Sequence, residues 1–438
     1  MKQLASACHA AFLAAALASS AQAQSAYGCV DLEGLHSHAS VEGEGGVFFP
    51  ILPDLQMFHA FSDESIDDLA RLGETLASLG TTLVYVPVPT KSLGMSEALP
   101  ASARDYGFDA DVAASVYDEN IDRLRLKEIV TANARVALRG TPDEPPGFFA
   151  ADPRITGEGA RRLAQAVAAA IAETPGFADL PKSVSESRPS GIATLPSKTF
   201  SALQSLCLQP LPPVATESYV TTRVQASAAV NDNAVFGSGT AAGGTGVTIL
   251  GTEITGDPGV NLAGFLSEFS GLDVVQYSVD GGGAFAAISS YLTSREFLDQ
   301  RPAYLVWVNP IDNNLAQYGD QPLRELRAAA GANCRVPLTL LPSRQPNTVI
   351  ADLSALDPSQ SYTLFVDADG SPAGEARFDF LSGTGLVRSK YILRQEAQLR
   401  SGQFYMPLSG LWAEGARSVD IVLDAPFGNN TRVSACFD

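Results

Sequence analysis

The chain has 438 residues, of which 45% are hydrophobic and 18% charged, and its formal net charge is −19. That length allows two or three domains, and the balance describes a globular chain with a sizeable core, not a disordered one. The negative charge argues against nucleic-acid partners and against docking on anionic lipid; a polyanionic ligand would need a local Arg/Lys patch working against the overall field.

Residues 1–23 read as a signal peptide. Lys2 is the positive start, Ala10 to Ala18 the apolar stretch, and Ala21-Gln22-Ala23 the small-residue cleavage site. The apolar stretch is too short to span a bilayer, and no later segment is apolar for long enough. The expectation is an exported, periplasmic protein without stable membrane insertion. Cys29, Cys207, Cys334 and Cys436 remain after cleavage, which suggests two disulfides, although four cysteines allow three pairings. Cys29–Cys207 with Cys334–Cys436 is favoured, because each bridge would then close one domain on itself. The cysteines lack the short spacing of a zinc site, and His36-Ser-His38 has no further ligand at suitable spacing, so no metal is expected.

Val47 to Pro50, after Gly43, Gly45 and Gly46, reads as half of a short hairpin. Ser62 is an N-cap for a helix with Ile66, Leu69, Leu72, Leu76 and Leu79 on one face, closed by Gly80. Thr82 to Pro89 is a strand apolar on both faces, as a parallel sheet requires. The pattern then predicts a helix over Tyr117–Asn133, a strand over Arg135–Leu138, and a helix capped by Thr156 with Leu163, Val167 and Ile171 inward. Pro175 to Thr245 shows little periodicity and reads as a long surface excursion tied down by Cys207. Val247 to Leu250 is a strand; a polar turn with Thr252, Glu253 and Asp257 follows, then a helix over Val260–Phe269. Leu272–Tyr277, a tight Gly281-Gly282-Gly283 loop, a helix over Phe285–Leu292, a strand over Ala303–Val308 and a helix over Pro322–Ala330 complete the alternation. Strand and helix alternating in this way predict a parallel sheet wrapped by helices. Gly243 to Val247 lacks the lysine and spacing of a phosphate loop, so no cofactor is expected.

From about Cys334 the pattern changes to short alternating runs at 336–341, 348–353, 362–367, 376–381, 403–408 and 418–423. That is a β-sandwich pattern. The implied domains are 24–332 and 333–438. Arg388, Lys390, Arg394 and Arg400 make a basic stretch in the second, either a solvated loop or a site for an anionic polymer. Trp307 and Trp412 read as core before sugar platforms.

Several strings together resemble the alginate O-acetyltransferase family of the AlgX/AlgJ type. They are Val84-Tyr-Val-Pro-Val-Pro-Thr-Lys91, Phe148 to Ala160, Leu250-Gly-Thr-Glu253 with Asn261 to Phe265, Asp280-Gly-Gly-Gly283 and Leu305-Val-Trp307. The resemblance implies an SGNH-hydrolase-like α/β domain followed by a carbohydrate-binding-like β-sandwich. It also implies an acyl-transfer site with an aspartate–histidine segment and a serine. Here Asp152 matches the aspartate, while the histidine position holds Arg154 and the serine position Glu253. Acyl transfer by that route needs a hydroxyl nucleophile and a base that accepts its proton. Glu253 is a carboxylate, and arginine stays protonated. The resemblance places Gly281, Gly282 and Gly283 beside the site.

Three readings follow. The first is a catalytically degenerate binding or scaffold protein of exported polysaccharide metabolism. Its expected partners are an acidic alginate-like polysaccharide and other periplasmic polysaccharide-machinery proteins. The second is an active O-acetyltransferase or esterase with a relocated nucleophile. The third is a glycosidic-bond enzyme using Asp152 and Glu253 as a carboxylate pair. The opposite charges predict an Arg154–Glu253 ion pair, with Asp152 as the second partner of Arg154.

Overall fold

The computed structural model describes residues 25–57, 61–141, 143–225, 246–331, 334–382, 385–408, 410–411 and 417–437. Residues 1–23, read above as a signal peptide, His59 and Trp412 lie outside these residues.

A short hairpin, β1 (Ser40–Glu42) with β2 (Phe48–Pro50), precedes α1 (Asp63–Ala77), whose cap is Ser62 accepting from the Ser65 amide. Then come β3 (Thr82–Val88), α2 (Lys91–Gly94), α3 (Ala110–Leu126), β4 (Val130–Thr131), α4 (Ala134–Arg139) and α5 (Gly157–Ala172). Thr156 caps α5 through the Gly159 amide, as expected. A hairpin, β5 (Val184–Thr194) with β6 (Ala215–Gln225), encloses α6 (Lys198–Gln204). The remaining units are β7 (Val247–Gly251), α7 (Glu253–Gly256), α8 (Leu262–Ser270), β8 (Val274–Ser278), α9 (Ala286–Leu292), α10 (Arg295–Asp299), β9 (Tyr304–Pro310) and α11 (Gln321–Gly331).

The five strands in the order β4-β3-β9-β7-β8 form one sheet, parallel throughout. Alternation along β3 fills two cores at once. Leu83 and Tyr85 join Trp307 and the inner faces of α1, α3, α9 and α11; Val84, Val86 and Val88 join α5 and α8 on the opposite face. Trp307 is a core residue, its indole N–H donating to the Ala284 carbonyl at 3.1 Å.

Three expectations are corrected here. The helix read over Tyr117–Asn133 lies earlier, because the Asp109 carboxylate caps it at the Asp111 and Val112 amides and Glu128, at φ +59°, turns the chain away after its end. The strand read over Arg135–Leu138 is the short helix α4, started by Asn133 accepting from Val136. Four residues are too few for helical periodicity to show. The stretch read as an unstructured excursion contains the β5–β6 hairpin, with Ser187 against Thr221. Its hydroxyl-rich strands bury little on either face, so no alternation marks them; 226–245 lies outside the described residues.

The C-terminal part is two antiparallel sheets around one core. β10 (Val336–Pro337), β13 (Tyr362–Asp367), β16 (Gln403–Pro407) and β18 (Arg432–Phe437) form one, in the order β10-β18-β13-β16. β11 (Leu340–Pro342), β12 (Thr348–Asp352), β14 (Glu375–Leu381), β15 (Val387–Leu393) and β17 (Ser418–Leu423) form the other, in the order β11-β12-β17-β14-β15. The run read over 336–341 is thus split between the sheets, and β15 and β18 were not anticipated. β15 is an edge strand whose single fully buried side chain is Ile392, so it reads as loop. Disulfides join Cys29 to Cys207 and Cys334 to Cys436, the favoured pairing.

Candidate functional site

Parallel α/β sheets bind ligands outside the carboxyl ends of their strands. Here those ends carry Glu253 after β7, Lys91 after β3, and the loop before α5 with Asp152 and Arg154.

Gly251 ends β7 where no side chain fits: a Cβ would stand 2.8 Å from Thr255 side-chain atoms and 3.0 Å from the Val308 carbonyl oxygen. The chain then turns into α7 and leaves the Glu253 side chain exposed. Its Oε1 accepts the Gly281 amide at 3.0 Å. Gly281 has φ +67°, a left-handed conformation that costs glycine little.

Asp152 is 3% exposed. Its Oδ1 accepts from the Arg154 backbone N–H at 2.9 Å and from Arg154 Nε at 2.8 Å, and its Oδ2 from Nη2 at 3.0 Å. Nη2 also donates to the Pro196 carbonyl at 2.8 Å, so the β5–β6 connection helps hold the guanidinium. Nη1 lies 3.7 Å from Asp257 Oδ2. Burial works against the Arg154 charge; the Asp152 hydrogen bonds and the fields of Asp152, Asp257 and Glu253 outweigh it, and the guanidinium pKa is raised above its ordinary value.

The expected Arg154–Glu253 ion pair is therefore not made. Arg154 forks onto Asp152, with Asp257 as the second carboxylate, while Glu253 turns to a backbone amide. The reason is local. A carboxylate two residues away in the same loop is reached with less loss of side-chain freedom than one on another loop. Asp257 was legible only as part of the polar turn. The structure also weakens the carboxylate-pair chemistry, since both Asp152 oxygens are engaged by Arg154 in a nearly closed position.

Beneath the loop lies a group the sequence reading did not single out. Lys91 is 1% exposed, and its ammonium donates to the carbonyls of Phe48 and Ala150, each at 2.7 Å, and of Asp152 at 3.3 Å. Its backbone N–H donates to Asp54 Oδ1 at 3.0 Å. Burial pushes the Asp54 carboxyl up to about 7, against the Lys91 charge and with help from Asp312; burial likewise pulls the Lys91 ammonium down to about 7, against Asp54 and Asp152. A lysine directly after an all-apolar strand was the available signal.

Of the other predicted residues, Gly282, Gly283 and Arg394 fall at the junction with the sandwich. Gly282, Gly283, Tyr318, Tyr391, Leu393 and Arg394 are among the residues lining a cavity of about 200 Å³. Arg394 is committed elsewhere: it pairs with Glu325 of α11, their side chains being 8% and 6% exposed. Arg388 donates to the Gly410 carbonyl at 2.8 Å, and Lys390 is exposed on the same face of β15. Among the described residues no cluster of His, Cys, Asp or Glu has metal-site geometry.

A family model described as "SGNH hydrolase-like domain, acetyltransferase AlgX" matches residues 53–310. The chain belongs to this AlgX family. It is 32% identical over 277 residues to the alginate biosynthesis protein AlgX of Pseudomonas aeruginosa, a match covering 63% of this chain and 56% of that protein. The AlgX of Pseudomonas syringae pv. tomato is 27% identical over 267 residues, covering 61% and 54%. The chain thus spans about half the length of these curated relatives. Among solved structures, that of Pseudomonas aeruginosa AlgX superposes with a TM-score of 0.75 at 27% identity, covering 91% of this chain and 95% of that one. The O-acetyltransferase domain of Pseudomonas putida AlgJ shares the fold, with a TM-score of 0.50 at 20% identity over 67% of this chain and 99% of that one.

Proposed function

We propose that this chain is an exported, catalytically degenerate member of the AlgX family that binds polysaccharide, or scaffolds its handling, in the biosynthesis of an alginate-type exopolymer. Residues 1–23 serve as its leader, 24–332 as the α/β unit and 333–438 as the glycan-facing sandwich. The observation that carries the reading is the Asp152–Arg154 fork. A guanidinium stands where this family's resemblance calls for an imidazole base, and a carboxylate follows β7 in place of a hydroxyl. The guanidinium cannot accept a proton near neutral pH, and the carboxylate offers no hydroxyl to carry an acyl group. The small cavity between the glycine loop and β15 supports the binding part, because its exposed Tyr318 and Tyr391 offer ring faces to a sugar. Arg388 and Lys390 supply positive charge for an acidic polymer.

Two assays test this. In acetyl-ester turnover the wild type should be inactive, and Glu253→Ser with Arg154→His is the rescue variant. Turnover by the wild type that survives loss of both side chains, and ends on mutation of another hydroxyl, would return the relocated-nucleophile reading. Titration with alginate-type and neutral oligosaccharides should show binding; absence of any binding sinks the proposal.

A further inference from the structure

The cleft holds more carboxylates than its arginine balances. Asp152 and Asp257 share Arg154. Asp280 places Oδ1 3.2 Å from where a Cβ on Gly256 would stand, and Glu253 adds a fourth acid. Three of these are explained as supports for loops or for the guanidinium: Asp152 holds Arg154, Asp257 Oδ1 accepts the Gly259 amide at 2.8 Å, and Asp280 leads into the glycine turn. Glu253 is different. It is exposed, it is not an ion-pair partner of Arg154, and its Oε1 sits on the Gly281 N–H at 3.0 Å. Apart from its chain neighbours, no heavy atom lies within 4 Å of where a Cβ on Gly281 would stand, so the turn is open on that side. The carboxylate also lies within the field of Arg154. A small carboxylate bound from solution would choose the same surroundings: a backbone donor in front and the field of a guanidinium around it.

We infer that Glu253 is a tethered anion that fills a carboxylate-accepting position made by the Gly281 N–H within the field of Arg154, and that it thereby turns carboxylate-bearing sugars away from the cleft. Where the polysaccharide-binding reading holds, on which this consequence rests, the cleft takes a neutral, hydroxyl-rich saccharide and an acidic polymer is confined to the sandwich. The balance of one cation against four acids favours the same division.

The test uses the full chain and acetate at constant ionic strength. Thermal stability is followed, together with the amide signal of Gly281 in protein labelled with ¹⁵N-glycine and assigned by Gly281→Ala. Glu253→Ala should respond to acetate roughly tenfold more strongly than the wild type, with movement of the Gly281 signal, since a charge-assisted hydrogen bond has been vacated. Glu253→Ser provides a second opened variant should the first not fold. Adding Arg154→Met to either should remove the response. An equal response from the wild type, or none at the Gly281 amide in a folded opened variant, overturns the inference. In parallel, Glu253→Gln, which keeps the acceptor and drops the charge, should bind oligouronate more tightly than the wild type. Failure of every variant to bind any oligosaccharide counts against the polysaccharide reading alone and leaves the acetate result standing.

Discussion

Arg394 and Arg154 each fork onto a carboxylate, and they do different work. Arg394 of the sandwich meets Glu325 of α11 where both side chains are more than nine-tenths buried, beneath the Phe404 ring. Around that pair, Gln398 donates to Ser289, the Leu399 amide to Ser290, and Tyr405 and Cys436 pack into the core that also holds Trp307. Arg154 meets Asp152 with a quarter of its own side chain still open to solvent and a second acid, Asp257, within reach. The first pair is a fastening between two layers of structure. The second is a charge left at a surface where a ligand can meet it. The same chemistry is structural or available according to how much water remains around it.

Removing one partner should break the comparison open. Glu325→Ala leaves Arg394 buried without its counter-ion, and the expected loss is about 3–5 kcal/mol of folding stability in urea titration. Arg154→Met should cost less, about 2 kcal/mol, because the backbone N–H of residue 154 still serves the buried Asp152 carboxylate. Equal losses at the two sites would erase the distinction drawn here.

A third measurement addresses the buried group under the cleft. The Asp54 pKa is raised from 3.8 to about 7, so its contribution is fully present below pH 3.8 and is lost as pH rises through about 7. The Lys91 pKa is lowered from 10.5 to about 7, so its contribution is present above pH 10.5 and is lost as pH falls through about 7. The two losses meet near neutrality. The melting temperature of the wild type minus that of Asp54→Asn/Lys91→Met, plotted against pH, should therefore pass through a minimum near 7. A flat difference would show that the two groups titrate as they do in the unfolded chain. The smallest effect is expected from Arg388→Ala with Lys390→Ala. Stability should fall by no more than about 1 kcal/mol, most of it from the Arg388 hydrogen bond to Gly410, while binding of an acidic oligosaccharide should weaken and lose part of its salt dependence.

Much of the architecture was legible because burial leaves a periodic trace. β3 and β9 are apolar at nearly every position since both faces of the sheet are covered, and α1 and α5 show their caps and inner stripes plainly. β4, α4 and the β5–β6 hairpin left no such trace: the first two are too short, and the hairpin buries too little. β15 was hidden for a related reason, since an edge strand with Ile392 as its buried residue has the composition of a loop. At the site, the sequence placed Asp152, Arg154, Glu253 and the Gly281 turn at one edge of the sheet. It did not show which acid the arginine would choose, nor that Arg394 was taken by Glu325.

By itself the sequence determined the family, the wrapped parallel sheet and the sandwich behind it, because these follow from residue order, apolar period and recurrent strings; it favoured the disulfide pairing that the structure shows. Only the tertiary structure decided the pairing of charges. Arg154 lies two residues from Asp152 but also near Asp257, and Glu325 and Arg394 are brought together from different layers. Such choices depend on distances of a few ångströms and on how much solvent remains, and neither quantity is written along a chain.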